Sequence, residues 1–331
     1  MNYHSIYQTE APDFLARLCD TPPMLRLKKV GMNCGCEYTA FPRFAGIARY
    51  TRFEHSLGAA LIVWHFTHDE KQAAAALLHD IATPVFAHVV DFLRGDYLSQ
   101  TATESGTASL IRSSAEIGGI LRSLGLRAED VEDYHRYPVA DNEPPRLSAD
   151  RLDYTLGNAV NFSLASVEEL TEIFSDLRVG VNEYGETELV FQDAKKAARF
   201  AALALACSKI YVCDADRYAM QSLSELLRDA LAAGVLEEKD LAATEEEVVA
   251  KLLTDEAFAL RWRAFCALSR TERADAPDER KGWRRIPAKK RRIDPYVEGR
   301  GRAGALYPEL GAAIEAFLNE DITYFVRGEG T

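Results

Sequence analysis

His55-Ser-Leu-Gly-Ala-Ala-Leu-Ile-Val-Trp-His-Phe66, followed by Lys71-Gln-Ala-Ala-Ala-Ala-Leu-Leu-His-Asp80, decides the fold class of this chain. Ala and Leu are strong helix formers that lose little side-chain freedom in a helix. Neither run contains a proline. The second is stopped by Thr83-Pro84, because proline cannot continue the hydrogen-bond ladder and restricts the residue before it. The pair His79-Asp80 is therefore expected at a helix end, with His55 at a helix start.

Further helices are predicted over 104–124, ending at Gly125, over 128–134, and over 148–160 with Ser148 as cap. Another is predicted over 166–175. Residues 177–191 break the pattern: Leu-Arg-Val-Gly-Val, Asn-Glu-Tyr-Gly-Glu and Thr-Glu-Leu-Val-Phe alternate like a hairpin around a glycine-bearing turn. Long helix returns over 195–233 and 246–268, and 306–325 reads as helical or mixed. The class is mainly α, a helical bundle with a small β-hairpin element. Residues 1–50, punctuated by Pro12, Pro22, Pro23 and Pro42, form an irregular to weakly helical lead-in. Residues 51–175 form the core, and 176–331 a helical C-terminal region carrying the hairpin 177–191.

The 331 residues are 47% hydrophobic and 27% charged, as in ordinary folded proteins. A net charge of -12 speaks against nucleic acid or a membrane surface as the partner. It leaves room for a small anionic substrate, which needs only one local basic pocket. The stretch 270–302 holds 12 Lys or Arg and 6 Asp or Glu, so it is strongly basic within an acidic chain. It reads either as a solvated loop or as a phosphate-facing one. No secretory leader and no membrane-length apolar run is visible. The six cysteines lack a repeated pair spacing, so free thiols in a reducing cytoplasm are expected.

Four residues stand out as metal ligands: His55, His79, Asp80 and Asp150. Two imidazoles and two carboxylates suit a divalent ion and leave positions for water and substrate oxygens. Such an ion acidifies water and polarises a phosphoryl oxygen. Each residue also has a structural reading, the histidines as core or surface residues and the aspartates as helix caps.

The flanking residues carry a resemblance. Arg52-Phe-Glu-His-Ser-Leu-Gly58, Leu77-Leu-His-Asp-Ile-Ala-Thr-Pro-Val-Phe-Ala-His88 and Ser148-Ala-Asp-Arg-Leu-Asp-Tyr154 resemble, in order, three signatures of the HD-superfamily metal-dependent phosphohydrolases. The nearest branch is similar to the deoxynucleoside triphosphate triphosphohydrolases, and Lys290-Arg-Arg-Ile-Asp-Pro295 looks like a late strand of that branch. The resemblance implies an HD-domain helical bundle holding one divalent transition metal (Fe, Mn, Zn, Ni or Co), with Mg as a further candidate. The ligands would be His55, His79, Asp80 and Asp150, with Asp80 also orienting the nucleophile. Arg52 and Arg151 would touch substrate phosphates, Tyr154 would line the pocket, and His88 would orient substrate or donate a proton. Glu104 is the best further acid or base. The chain departs from the branch at Thr83 and Thr103, where histidines are expected. The function implied is hydrolysis of a phosphate ester on a small phosphorylated substrate, a nucleotide being favoured. A true deoxynucleotide triphosphohydrolase and a nucleotide-binding regulator of weak turnover are the alternatives. A homo-oligomer follows by analogy only.

Overall fold

In the computed structural model, which describes residues 3–98, 100, 106–275 and 282–330, the two runs that opened the sequence reading form an antiparallel helical pair. Helices in chain order are α1 (Asp13–Cys19), α2 (Pro22–Leu27), α3 (Arg52–Thr67), α4 (Glu70–Leu78), α5 (Val89–Leu93), α6 (Thr107–Ser113), α7 (Ala115–Ser123), α8 (Ala149–Asn161) and α9 (Val167–Phe174). Then follow α10 (Ala194–Tyr211), α11 (Asp214–Ala232), α12 (Glu245–Leu252), α13 (Glu256–Cys266), α14 (Ala303–Leu306) and α15 (Pro308–Asn319).

Local chemistry sets where α3 and α8 begin. Thr51 caps α3 in a reciprocal box with Glu54, satisfying two otherwise orphaned backbone donors. Ser148 caps α8 by accepting from the Arg151 amide at 3.3 Å, as its place before the motif predicts. Asp69 caps α4. These caps fix the helix ends on which the candidate site is built.

Several predicted helices are shorter than expected. Residues 107–123 form two helices because Ser114 ends α6 and caps α7. The run 195–233 divides at Val212-Cys213, and 246–268 at Leu253–Asp255, where Asp255 caps α13. Residues 128–136 form two short 3-10 turns.

The β content exceeds the hairpin. Strands β1 (Leu177–Val181) and β2 (Thr187–Phe191) form the predicted hairpin. β5 (Tyr296–Val297) pairs in parallel with β2, and β6 (Gly301–Arg302) completes that sheet in the order β1-β2-β5-β6. A second, antiparallel sheet, β3-β7-β4, joins Leu268–Ala274, Phe325–Gly330 and Arg284–Arg285. The basic segment is thus partly built into sheets. Its run 290–295, expected to resemble a late strand, carries no strand.

Two large buried apolar clusters organise the packing, beside a small third one of Val212, Phe317 and Ile322. One is centred on α3, α4, α8 and α10. The other joins α5, α11, α12 and α13 with Phe41, Phe44 and Phe86. The lead-in is not loose: Tyr3, Ile6, Tyr7, Leu15 and Leu18 are fully buried in the first cluster. Among the described residues, no helix is long and apolar enough to cross a membrane.

Candidate metal centre

A cavity of about 420 Å³ is lined by side chains from α3, α8, α10 and α11 and by His79 and Asp80, just past the end of α4. His55 and the pair His79-Asp80 bring one donor atom each within 4.8 Å of one another. Asp150 joins them, its Oδ1 3.1 Å from His55 Nε2 and 3.6 Å from His79 Nε2. The structure therefore brings all four sequence-predicted ligands to one wall. Both histidines, together with Asp80, are buried.

The second nitrogen of each imidazole has its own partner. His79 Nδ1 lies 2.7 Å from the Ala76 carbonyl, which can only accept, so Nδ1 carries the proton and Nε2 faces the site as a lone pair. His55 Nδ1 lies 2.7 Å from Asp153 Oδ2, which orients that ring in the same way. A partner on the distal nitrogen is the usual support of a metal-ligating histidine. The donor set, two Nε2 atoms and two carboxylates, fits a divalent transition metal.

The charges are arranged to keep the carboxylates ionised. Burial would raise the Asp80 carboxyl. Arg52, whose Nη1 donates to Asp80 Oδ2 at 2.8 Å, and the two histidines hold it well below the usual range. Thr83, one of the two threonines at histidine places, donates its hydroxyl to Asp80 Oδ1 at 3.0 Å. Asp150 is also opposed by burial, yet His55 and His79 bring it down to about 2. Burial works against charge on His55, but Asp150 and Asp153 on its two nitrogens push it up to about 10.

The remaining expected residues fall as follows. Tyr154 lines the cavity, and burial pushes its hydroxyl up to about 12. Arg151 also lines it, but its guanidinium is engaged by the loop before α8. Nε donates to the Arg146 carbonyl at 2.8 Å, Nη2 to Asn142 Oδ1 at 2.7 Å, and Nη1 lies 3.1 Å from Asp141. His88 sits in the wall with Nδ1 2.9 Å from Asp91 Oδ2. Burial, with Arg52 and Arg291 nearby, lowers it to about 4. Glu104 and Thr103 lie outside the described residues.

Sequence reasoning missed residues that reach the cavity from far along the chain. Lys289 and Arg291, inside the basic segment, line it. Arg291 Nη2 donates to Gln100 Oε1 at 3.0 Å and stands 3.4 Å from His88 Nε2. The charge run was the signal, but nothing in it distinguished a solvated loop from a cavity wall. Asp216 of α11 also lines the cavity, and burial pushes its carboxyl up to about 8. Asp153 was visible only as a helical neighbour three residues after Asp150.

No family profile matches the chain. Over 136 residues it is 32% identical to the metal-dependent phosphohydrolase cns2 of Cordyceps militaris. That match takes in 41% of this chain and 39% of the fungal protein, so it spans well under half of that relative. It is 26% identical over 238 residues to the uncharacterized protein YdhJ of Bacillus subtilis, covering 71% of this chain and 69% of that one. The fold extends over solved structures. A hypothetical protein from Aquifex aeolicus superposes with a TM-score of 0.65 at 20% identity, covering 96% of this chain and 93% of that one. A phosphohydrolase from Bacteroides thetaiotaomicron gives a TM-score of 0.64 at 15% identity, with 97% of each chain covered.

Proposed function

We propose that this protein is an HD-type, metal-dependent phosphohydrolase that cleaves a phosphate ester on a small phosphorylated molecule, a nucleotide being the favoured substrate. The observation that carries this reading is the convergence of His55, His79, Asp80 and Asp150 on one cavity, with both Nε2 atoms turned inward. Sequence similarity to a metal-dependent phosphohydrolase supports it.

A divalent ion bound by these four residues supplies Lewis-acid polarisation of a phosphoryl oxygen and acidifies water. The chain's own groups do the rest. Arg52 keeps Asp80 ionised and aligned for ligation. Arg291 and Lys289 on the cavity wall present cations to the phosphate, and Arg suits that task through its forked donors. His88 is neutral near pH 7, with its proton on the nitrogen facing Asp91 and a lone pair at Nε2. It orients substrate or accepts a proton rather than donating one. Thr83 spends its hydroxyl on Asp80, so it supports the centre and is not a proton donor to a leaving group.

Metal analysis of the purified chain, coupled to a phosphate-ester panel with product identification, tests this. The expected result is about one ion per chain and phosphate release, with both lost in Asp80→Ala. Unchanged turnover in Asp80→Ala overturns the assignment. Release of inorganic triphosphate would move the chain to the triphosphohydrolase alternative.

A further inference from the structure

Asp153 is fully buried, and its two oxygens accept from four groups. His55 Nδ1 approaches Oδ2 at 2.7 Å. The Tyr50 hydroxyl donates to Oδ2 at 3.1 Å, and the Tyr3 hydroxyl lies 3.1 Å from both oxygens. The Tyr7 hydroxyl makes a very short contact with Oδ1. One acceptor suffices to orient an imidazole, so three tyrosines on the far side of the carboxylate call for a reason. The neighbouring helices are also cut away to admit this cluster. A Cβ at Gly58 would stand 1.7 Å from Asp153 Oδ1, and one at Gly157 2.4 Å from the Tyr50 hydroxyl.

Tyr3 and Tyr7 flank and end the 3-10 turn His4–Tyr7, which is itself anchored on the centre of the fold. His4 Nε2 lies 2.8 Å from the Glu54 carbonyl, one residue before His55, and Tyr7 packs on Phe174 at 5.3 Å between ring centres. The turn thus reaches the residue before His55 through His4 and the carboxylate that holds the His55 ring through Tyr7. Burial pushes all three tyrosine hydroxyls well above their usual range, so they stay protonated and act as donors to Asp153.

We propose that Asp153 is the positioning residue of His55, and that Tyr3, Tyr7 and Tyr50 clamp its carboxylate so that the turn His4–Tyr7 sets the affinity of the centre for its divalent ion. The physical reason is torsional. A carboxylate held by one bond can rotate and let the ring tilt, whereas hydroxyls on both oxygens fix its plane and hence the direction of the His55 Nε2 lone pair. Outer partners of this kind change metal affinity by about 10- to 100-fold in other centres. The inference rests on the metal-centre reading above.

The test is titration of the demetallated full chain with Co²⁺, following the visible absorption band and the dissociation constant, beside a urea denaturation curve for each variant. Asp153→Asn keeps the shape and removes the charge. The expected result is a dissociation constant weaker by about 10- to 100-fold, with a shifted band. Tyr7→Phe should weaken it several-fold. A purely structural role would lower the urea midpoint and leave the constant and band of the folded protein unchanged, and that outcome for Asp153→Asn overturns the proposal. If Asp153→Asn does not fold, Tyr7→Phe decides in the same way. Failure of the unsubstituted chain to bind Co²⁺ overturns the metal-centre reading and this inference with it. Binding that Asp153→Asn leaves unmoved overturns this inference alone.

Discussion

Arg52 and Asp80 form a buried ion pair, Nη1 to Oδ2 at 2.8 Å, between the first turn of α3 and the residue that follows His79. Removing one side of a buried pair leaves the other charge without compensation, at a cost of roughly 3–5 kcal/mol. Arg52→Gln is expected to lower the unfolding free energy at pH 7 by about that amount and to weaken metal retention. The acid dependence gives a second check. The folded Asp80 carboxyl lies below its unfolded value near 3.9, so its stabilisation is present above that pH and is lost progressively as pH falls from there towards the lower folded value. The unsubstituted chain should lose stability more steeply than Arg52→Gln on acidification below about pH 4. Urea titrations from pH 7 to 3 with parallel slopes would count against the pairing.

Gly58 and Gly157 are needed for space. A methyl at Gly58 enters the Asp153 carboxylate and one at Gly157 enters the Tyr50 ring. Overpacking of this severity costs about 3 kcal/mol or more. Gly58→Ala and Gly157→Ala should each lower the urea midpoint accordingly, whereas Gly46→Ala, with nothing within 4 Å of its Cβ but with φ at +75°, should cost only the smaller backbone penalty. Equal midpoints for all three would refute the steric account.

Arg291 offers its charge to the cavity without belonging to the ligand set. A charge-assisted hydrogen bond to a phosphate contributes about 1.5–3 kcal/mol, or roughly 10- to 100-fold in binding. Arg291→Ala should therefore raise KM for the phosphate ester by that factor while metal content per chain stays the same. Steady-state kinetics with metal analysis on one preparation measure both. A loss of metal with unchanged KM would remove Arg291 from the phosphate site.

Glu37 has both carboxylate oxygens buried. Burial, reinforced by the facing Glu245, pushes its carboxyl up to about 8. The folded state then binds a proton that the unfolded state releases above about pH 4.3, so stability falls as pH rises between about 4.3 and 8. Glu37→Gln removes this dependence and should stabilise the fold at pH 8 by about 2 kcal/mol or more. Denaturation curves at pH 6 and pH 8 decide it, since a substitution that shifts both equally leaves the titration unsupported.

The helix that carries His55 and the one that carries Asp150 were legible because a proline-free, Ala- and Leu-rich run and the Ser148 cap are local signals, whereas the Thr51–Glu54 box emerged only in the structure. The four candidate ligands come from short motifs, and their side chains lie together in the fold. The breaks at Ser114 and Val212-Cys213 were not legible, because no proline or glycine marks them and a single serine inside a helical pattern does not announce itself as a cap. Arg291 was hidden for another reason. Its place against His88 is made by chain 203 positions away, and no periodicity within a basic run encodes such a distance. Arg151 shows the opposite limit: its identity suggested phosphate, and only the structure showed its donors engaged with Asn142, Arg146 and Asp141.

The bond between Tyr3 and Asp153 joins residues 150 positions apart. During synthesis, the turn that contributes Tyr3 and Tyr7 leaves the ribosome long before α8 exists. Its aromatic side chains must wait, uncovered, while about half the chain is made. Contacts of such long separation slow folding and leave apolar surface exposed in the interval. Substitutions at Asp153 should therefore be felt in the yield of soluble chain as well as in the finished molecule. The same separation delays orientation of His55 until a late stage of folding, so metal should enter a nearly completed fold and should not act as the nucleus around which it collapses.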